Sequence, residues 1–332
     1  MAKRRRRKRK RQYHRITSLA RWLLLVALAV GLLLAGWWLV QNQDLWRSPS
    51  QISRDEKLVM AIVRRLPEDP QTIELNISIL DQNQWRIIKI PNLVKLNLGY
   101  GYGSWPAGSL LGLVEQENKP ELISQAASDL FSAPIEWWLI YQGQGCTDQF
   151  ECWQQTAQSW WKQKGLETNL SRRDFWLIKQ RLSDLTSVNF DYIDASQGSW
   201  AQPLTEVDGK NMIVFSPEFV AARVSDWFND PQILQENLAV EVINTTQVNG
   251  AGEYWARLLS GLGLRVIRVD SASDNQARSK QCLIRGKSTW LSSWTVQRLQ
   301  RIWQCEFVSA ELDNPLADLQ FRIGPELARQ KP

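Results

Sequence analysis

Val240-Glu-Val-Ile-Asn-Thr-Thr-Gln-Val-Asn-Gly-Ala-Gly-Glu-Tyr-Trp-Ala-Arg-Leu-Leu-Ser-Gly-Leu-Gly-Leu-Arg-Val-Ile-Arg-Val-Asp270 holds a strand, a helix and a second strand in succession. Ala239-Val-Glu-Val-Ile243 reads as a strand and runs into a polar, glycine-containing turn. Ala251, Trp255, Leu258, Leu259 and Leu262 then recur at steps of three and four, which puts them on one helix face. Gly261 and Gly263 stop the helix, and Leu264-Arg-Val-Ile-Arg-Val269 is the next strand, so the segment is a β-α-β unit. Gly250-Ala-Gly252, with Asp270 about 20 residues on, has the outline of a dinucleotide fingerprint. Trp255 argues against that reading, because it stands where a third glycine would let the helix approach the sheet. The alternative is a helix start built from Asn and Gly for tight geometry.

Downstream, the pattern predicts a strand at 281–285, a helix at 288–303, a strand from Gln304 to Val308 and another at Leu319 to Ile323. Upstream, Ile73-Glu-Leu-Asn-Ile-Ser-Ile-Leu80 alternates apolar and polar residues, Asp81-Gln-Asn-Gln84 offers a turn, and Trp85-Arg-Ile-Ile-Lys-Ile90 resumes the alternation. Leu98 to Trp105, with three glycines in five residues, reads as a loop. A helix follows from Pro120, ended by Ala133-Pro134, and Ile135 to Tyr141 is a strand. The order β, β, α, β predicts a mixed sheet with helices packed on it. Helices at 153–164 and 171–186 and a strand at Met212 to Phe215 complete this part. The expected fold class is mixed α+β within the α/β group: a mixed-sheet domain over 58–235 and a smaller β-α-β-containing domain over 238–325.

The chain has 332 residues, 44% of them apolar and 22% charged, as in an ordinary globular protein. Its net charge of +6 is uneven, since 11 of its 40 Lys and Arg stand in residues 1–21, which hold no acid, and the other 29 face 34 acids. Lys3 through Arg11 is an unbroken basic run, followed by nineteen uncharged residues from Trp22 to Val40. As a helix that stretch covers about 28 Å, close to the hydrocarbon thickness of a bilayer. Tryptophans at both ends suit the headgroup zones. A cleaved signal peptide is the rival, but Leu33-Leu34-Ala35 before Gly36-Trp37 is a poor cleavage site. The expected order is a basic cytoplasmic tail at 1–21, a transmembrane helix at 22–40 contacting the lipid bilayer, a stalk at 41–57 containing Ser48-Pro49-Ser50, and an extracytoplasmic body. Anionic inner-leaflet lipids account for the basic run, so no nucleic-acid partner is expected.

His14 is the one histidine, which excludes a Ser-His-Asp triad and a His-liganded zinc site in the body. The four cysteines suggest a local Cys146–Cys152 bridge and a Cys282–Cys305 bridge, with four buried thiols as the alternative. Neither pair has the C-x-x-C spacing of a metal site. Of the 18 tryptophans, Trp137-Trp138 and Trp160-Trp161 are doublets. Core filling is their more frequent use; an exposed indole can also stack on a sugar or cover a lipid chain.

The segment from Val240 to Asp270 resembles the C-terminal domain of LytR-type envelope proteins. That family has a V-x-V-x-N-G/T-T strand, a V-x-G-x-A helix start and a G-hydrophobic-x-V strand. Arg86-Ile-Ile-Lys-Ile-Pro91, the Gly-Tyr loop and Asp129-Leu-Phe-Ser-Ala-Pro-Ile-Glu-Trp-Trp-Leu-Ile-Tyr141 resemble a degenerate LytR-CpsA-Psr catalytic domain. The resemblance implies transfer of glycopolymers from polyprenyl pyrophosphate carriers to peptidoglycan, using arginines and Mg²⁺ on the pyrophosphate. The family's I-P-R-D motif departs here, with Asn92 and Leu93 in place of Arg and Asp. An amide and an isobutyl group cannot neutralise a pyrophosphate, so no catalytic residue is assigned. Arg86, Lys89 and Lys95 are the candidate phosphate or ligand contacts, or else the solvated side of a strand. The expected function is a non-catalytic, membrane-anchored envelope protein that binds wall glycopolymer, carrier lipid or an envelope partner, with no cofactor and no metal. The alternative is a glycopolymer phosphotransferase with a rearranged site and Mg²⁺.

Overall fold

The computed structural model describes residues 28, 30–32, 52, 56–66, 73–99, 101–143, 145–146, 148–163, 165–197, 201–205, 209, 211–216, 220, 226–272 and 282–330. The basic tail, most of the expected transmembrane segment and most of the stalk lie outside these residues; Leu28 and residues 30–32 are helical and exposed. Among the described residues, no helix is long and apolar enough to cross a membrane. The chain divides into two compact units, Met1–Gln51 with Ser171–Asp174, and Ile52–Leu170 with Phe175–Pro332. Both large sheets belong to the second unit.

β1 (Leu58–Arg65), β2 (Ile73–Leu80) and β3 (Trp85–Ile90) form an antiparallel meander, with Asp81 N donating to Gln84 O at 2.8 Å in the second turn. β4 (Lys95–Leu98) and β5 (Gly103–Pro106) pair as a hairpin, which corrects the reading of 98–105 as loop throughout. Gly101 and Gly103, at φ +83° and +72°, supply the left-handed backbone the turn needs. α1 (Leu110–Glu117), α2 (Glu121–Phe131), β6 (Trp137–Gln142), α3 (Phe150–Ser159), β7 (Glu167–Thr168), α4 (Arg172–Ser183), β8 (Phe190–Asp194), β9 (Ala201–Thr205) and β10 (Asn211–Phe215) follow.

The first sheet runs β7-β6-β1-β2-β3-β8 and is mixed, with β1 parallel to β6 and β3 parallel to β8. One face, with Val59, Ala61, Leu75, Ile77 and Ile88, packs on Leu122, Ile123 and Ala126 of α2. The other, with Met60, Ile62, Ile87 and Leu139, packs on Trp153 of α3, on Trp160, and on Ile178 and Leu182 of α4. Covering both faces explains why β1 reads as the continuous run Leu58-Val-Met-Ala-Ile-Val63 instead of alternating. Trp137 and Trp138 divide between the two cores, as strand neighbours must, while Trp160 is buried and Trp161 exposed.

α5 (Pro231–Glu236), β11 (Ala239–Asn244), α6 (Ala251–Gly261), β12 (Arg265–Ser271), β13 (Cys282–Gly286), α7 (Trp294–Trp303), β14 (Glu306–Ser309), β15 (Leu319–Ile323) and α8 (Pro325–Ala328) build the second part. β11, α6 and β12 form the expected β-α-β unit with parallel strands. The sheet order is β12-β11-β15-β13-β14, and the pair β13/β15 is antiparallel. α6 and α7 cover the face that carries Val240, Val242, Ile284, Leu319 and Phe321. The helical bodies meet closely: a Cβ at Gly261, the end of α6, would stand 2.1 Å from Ser132 O at the end of α2.

Cys146 and Cys152 are bonded, with Cα atoms 5.6 Å apart, as are Cys282 and Cys305 at 4.7 Å, so the four cysteines are not free thiols. Cys305 directly precedes β14 instead of lying inside a strand. The second bridge clips β13 to its parallel neighbour across 23 residues, a loop for which chain entropy suggests about 3 kcal/mol of stabilisation.

Candidate functional site

Arg86 and Lys89 stand three residues apart on β3, and side chains alternate along a strand, so they leave opposite faces of the sheet. Each meets a carboxylate of its parallel neighbour β8, with which it is in direct register. Arg86 Nε donates to Asp191 Oδ2 at 3.1 Å, and its guanidinium lies over the Trp227 ring at 5.2 Å. Lys89 Nζ is 3.7 Å from Asp194 Oδ2. Burial raises the Asp194 carboxyl, but hydrogen bonds from Ser196 and the Lys89 charge outweigh it and hold the group below its usual value. Lys95 belongs to the separate β4–β5 hairpin. The structure therefore brings Arg86 and Lys89 together neither with each other nor on one face. At the departed motif, Asn92 O accepts from Gly108 N at 2.9 Å and Leu93 O accepts from Ile213 N at 2.8 Å, so this turn serves as a backbone junction. Among the described residues, no group of three or more His, Cys, Asp or Glu could hold a metal ion.

A buried charge cluster forms around α7. Arg298 donates to Glu56 and to Glu136, and its Nε lies 3.7 Å from Asp230 Oδ2. Arg301 also donates to Glu56 and lies over the Trp294 ring. Asp230 caps α5 through Gln232 N at 2.9 Å and accepts from Trp294 Nε1 at 3.0 Å. Glu236 accepts from the N-terminal amides of α7, Trp294 N at 2.7 Å and Thr295 N at 2.9 Å, where a carboxylate is favoured by the helix dipole. Two guanidiniums thus face three carboxyls, and two carboxylates suffice to balance them. Burial pushes Glu136 up to about 8, against the pull of Arg301 and with help from Asp230.

That shift has a pH consequence. The folded carboxyl keeps its proton up to about pH 8, while the unfolded one releases it near the ordinary 4.5. Between those values the folded chain binds the extra proton, so stability falls as pH rises through the window. Glu136→Gln, which keeps a neutral side chain, is expected to flatten this decline. Urea midpoints at pH 5 and pH 8 check it, and an equal decline in the variant would contradict the assignment.

The second sheet carries a polar cleft of about 430 Å³ on the face turned away from α6 and α7. In β11 and β15 the apolar residues Val240, Val242, Leu319 and Phe321 alternate with Glu241, Gln320 and Arg322, so the same alternation that fills the core sets a polar row on the reverse side. Strand register aligns Arg268, Glu241, Gln320 and Arg285 across β12, β11, β15 and β13. Gln320 Nε2 donates to Glu241 Oε2 at 2.9 Å, Arg285 donates to Gln320 Oε1 at 3.2 Å, and Arg268 Nε lies 3.7 Å from Glu241 Oε1. Glu241, Gln320 and Arg322 are buried although they line the cleft. Sequence reasoning missed this site. Its available signal was the charged or amide residue at every second position of two strands otherwise made of Val, Ile, Leu and Phe.

No protein-family model matches the chain, and no curated protein matches it in sequence. Among solved structures, TagT of Bacillus subtilis is similar at 8% identity and a TM-score of 0.38, over 55% of this chain and 93% of that one. TagV of Bacillus subtilis is similar at 10% identity and 0.38, over 53% of this chain and 98% of that one. A protein of Enterococcus faecalis described as a transcriptional regulator is similar at 9% identity and 0.37, over 65% and 92%.

Proposed function

We propose that this chain is a membrane-anchored, extracytoplasmic envelope protein that binds a wall glycopolymer and does not catalyse its transfer. The observation that carries the second half is the placement of Arg86 and Lys89 on opposite faces of β3, each against a β8 carboxylate. A pyrophosphate needs cations that converge on it. Anchoring is supported by the basic run and the uncharged stretch at 22–40. The two disulfides agree with an oxidising exterior. The segment arrangement 1–21, 22–40, 41–57, 58–235 and 238–325 belongs to the same reading.

The test has two arms. The full chain, purified in detergent and given a polyprenyl-pyrophosphate-linked glycan with peptidoglycan and Mg²⁺, is expected to retain glycan without releasing the carrier. Carrier release that disappears on Arg86→Ala or Lys89→Ala would establish the phosphotransferase alternative. Protease added to intact cells is expected to degrade the body beyond residue 57; a membrane-bound body left intact would overturn the topology.

A further inference from the structure

The cleft on the second sheet is large enough for a small ligand, since such sites usually span roughly 300–1,000 Å³. Its lining selects the chemistry. Three guanidiniums, of Arg268, Arg285 and Arg322, and three carboxylates, of Glu241, Asp270 and Asp313, dominate it. Ile243, Ala272 and Pro315 are its apolar members and among the described residues no aromatic ring lines it, so neither a lipid chain nor a stacked base finds a partner there.

Arg268 and Arg285 differ in the charge of their partners. On the β12 side, Arg268 donates to Asp270 at 2.6 Å and lies beside Glu241, which neutralises it. On the β13 side, Arg285 donates to the neutral Gln320 at 3.2 Å, and among the described residues no carboxylate pairs with it. Arg322 lies two residues beyond Gln320 on the same face of β15, the diagonal neighbour of Arg285, a spacing of about 7–8 Å between backbones. Long guanidinium side chains at that spacing can present paired N–H groups to one oxyanion. Beside them, the Glu241–Gln320 pair offers acceptor and amide groups suited to hydroxyls, each of which donates and accepts.

We propose that this cleft is a binding site for a sugar phosphate unit, with the phosphate toward Arg285 and Arg322 and the hydroxyls toward Glu241 and Gln320. The inference deepens the proposed glycopolymer-binding role and rests on it, locating the contact on the second sheet instead of at Arg86 and Lys89.

Glucose 6-phosphate is the probe, titrated into the full chain in detergent and followed by calorimetry. Saturable binding is expected, with glucose and inorganic phosphate each at least tenfold weaker. Arg285→Gln is expected to weaken glucose 6-phosphate binding about tenfold with the melting temperature unchanged, because the amide still reaches Gln320. Arg285→Lys, which keeps the charge without the fork, should lie between them and serves if the Gln variant fails to fold. Absence of saturable binding, an unchanged affinity in both folded variants, or inorganic phosphate binding as tightly as glucose 6-phosphate overturns the proposal. A chain that still retains wall glycan while the Arg285 variants bind normally would discard the cleft and leave the broader function standing. A chain that retains no glycan discards that function.

Discussion

Arg298→Ala is expected to lower the unfolding free energy by about 3–5 kcal/mol, the range for removing one partner from a buried ion pair. The loss comes less from the attraction given up than from what remains. Glu56, whose side chain has no exposure, would lose its contact with Arg298, and Asp230 and Glu136 would lose their nearest guanidinium. An uncompensated carboxylate in that setting must either stay charged without solvation or take up a proton, and both destabilise the folded state at neutral pH. Arg298→Lys should recover only part of the loss, because one ammonium cannot serve two carboxyls as the planar fork does. Denaturant unfolding at pH 7 measures the effect, and a change under 1 kcal/mol would show that the cluster is solvated enough to be dispensable. Since Glu56 and Glu136 precede the second sheet and Arg298 lies on α7, which packs on that sheet, the substitution should also separate one unfolding transition into two.

The sequence made the β-α-β unit readable because its periods switch cleanly from two to 3.6 and back between Ala239 and Val269. It made the β2–β3 hairpin readable for the same reason. β1 escaped identification because a strand covered on both faces has no alternation to detect, and Leu58 to Val63 is apolar throughout. The β4–β5 hairpin escaped because its glycines are turn residues at positive φ, so their local signal speaks only of the turn. Alternating Arg86 and Lys89 could be seen to be basic, but not that Asp191 and Asp194, about a hundred positions later, would lie beside them in register. The charge cluster has the same character at greater range, for Glu56 and Arg298 are 242 residues apart. Local patterns carry elements; the pairing of distant charges is decided by topology, which those patterns do not contain.

Trp255→Ala is expected to cost about 3–5 kcal/mol, as for other large aromatic truncations in a core. The indole is buried, lies edge-on to Trp303 at 5.2 Å between ring centroids and close to Phe321 at 6.3 Å, and its Nε1 donates to Leu327 O at 3.3 Å. It therefore joins α6, α7, β15 and α8, and no single neighbour can move to fill its place. Trp255→Phe should cost less, keeping ring contacts and losing the indole's bond to Leu327 O, which still accepts from Gln330 N at 3.1 Å, a net loss of about 0.5–1.5 kcal/mol. A loss under 1 kcal/mol for the Ala variant, read from denaturant midpoints, would mean that the second core repacks freely. The same residue bears on nucleotide binding. The close helix-to-sheet approach is made one turn earlier by Gly252, where a Cβ would meet Val269 Cγ1 at 2.8 Å. With that approach already provided, the position of Trp255 is free to carry bulk. Restoring a glycine there would empty the core without building a dinucleotide site, so Trp255→Gly should gain no affinity for NAD while losing at least as much stability as the Ala variant.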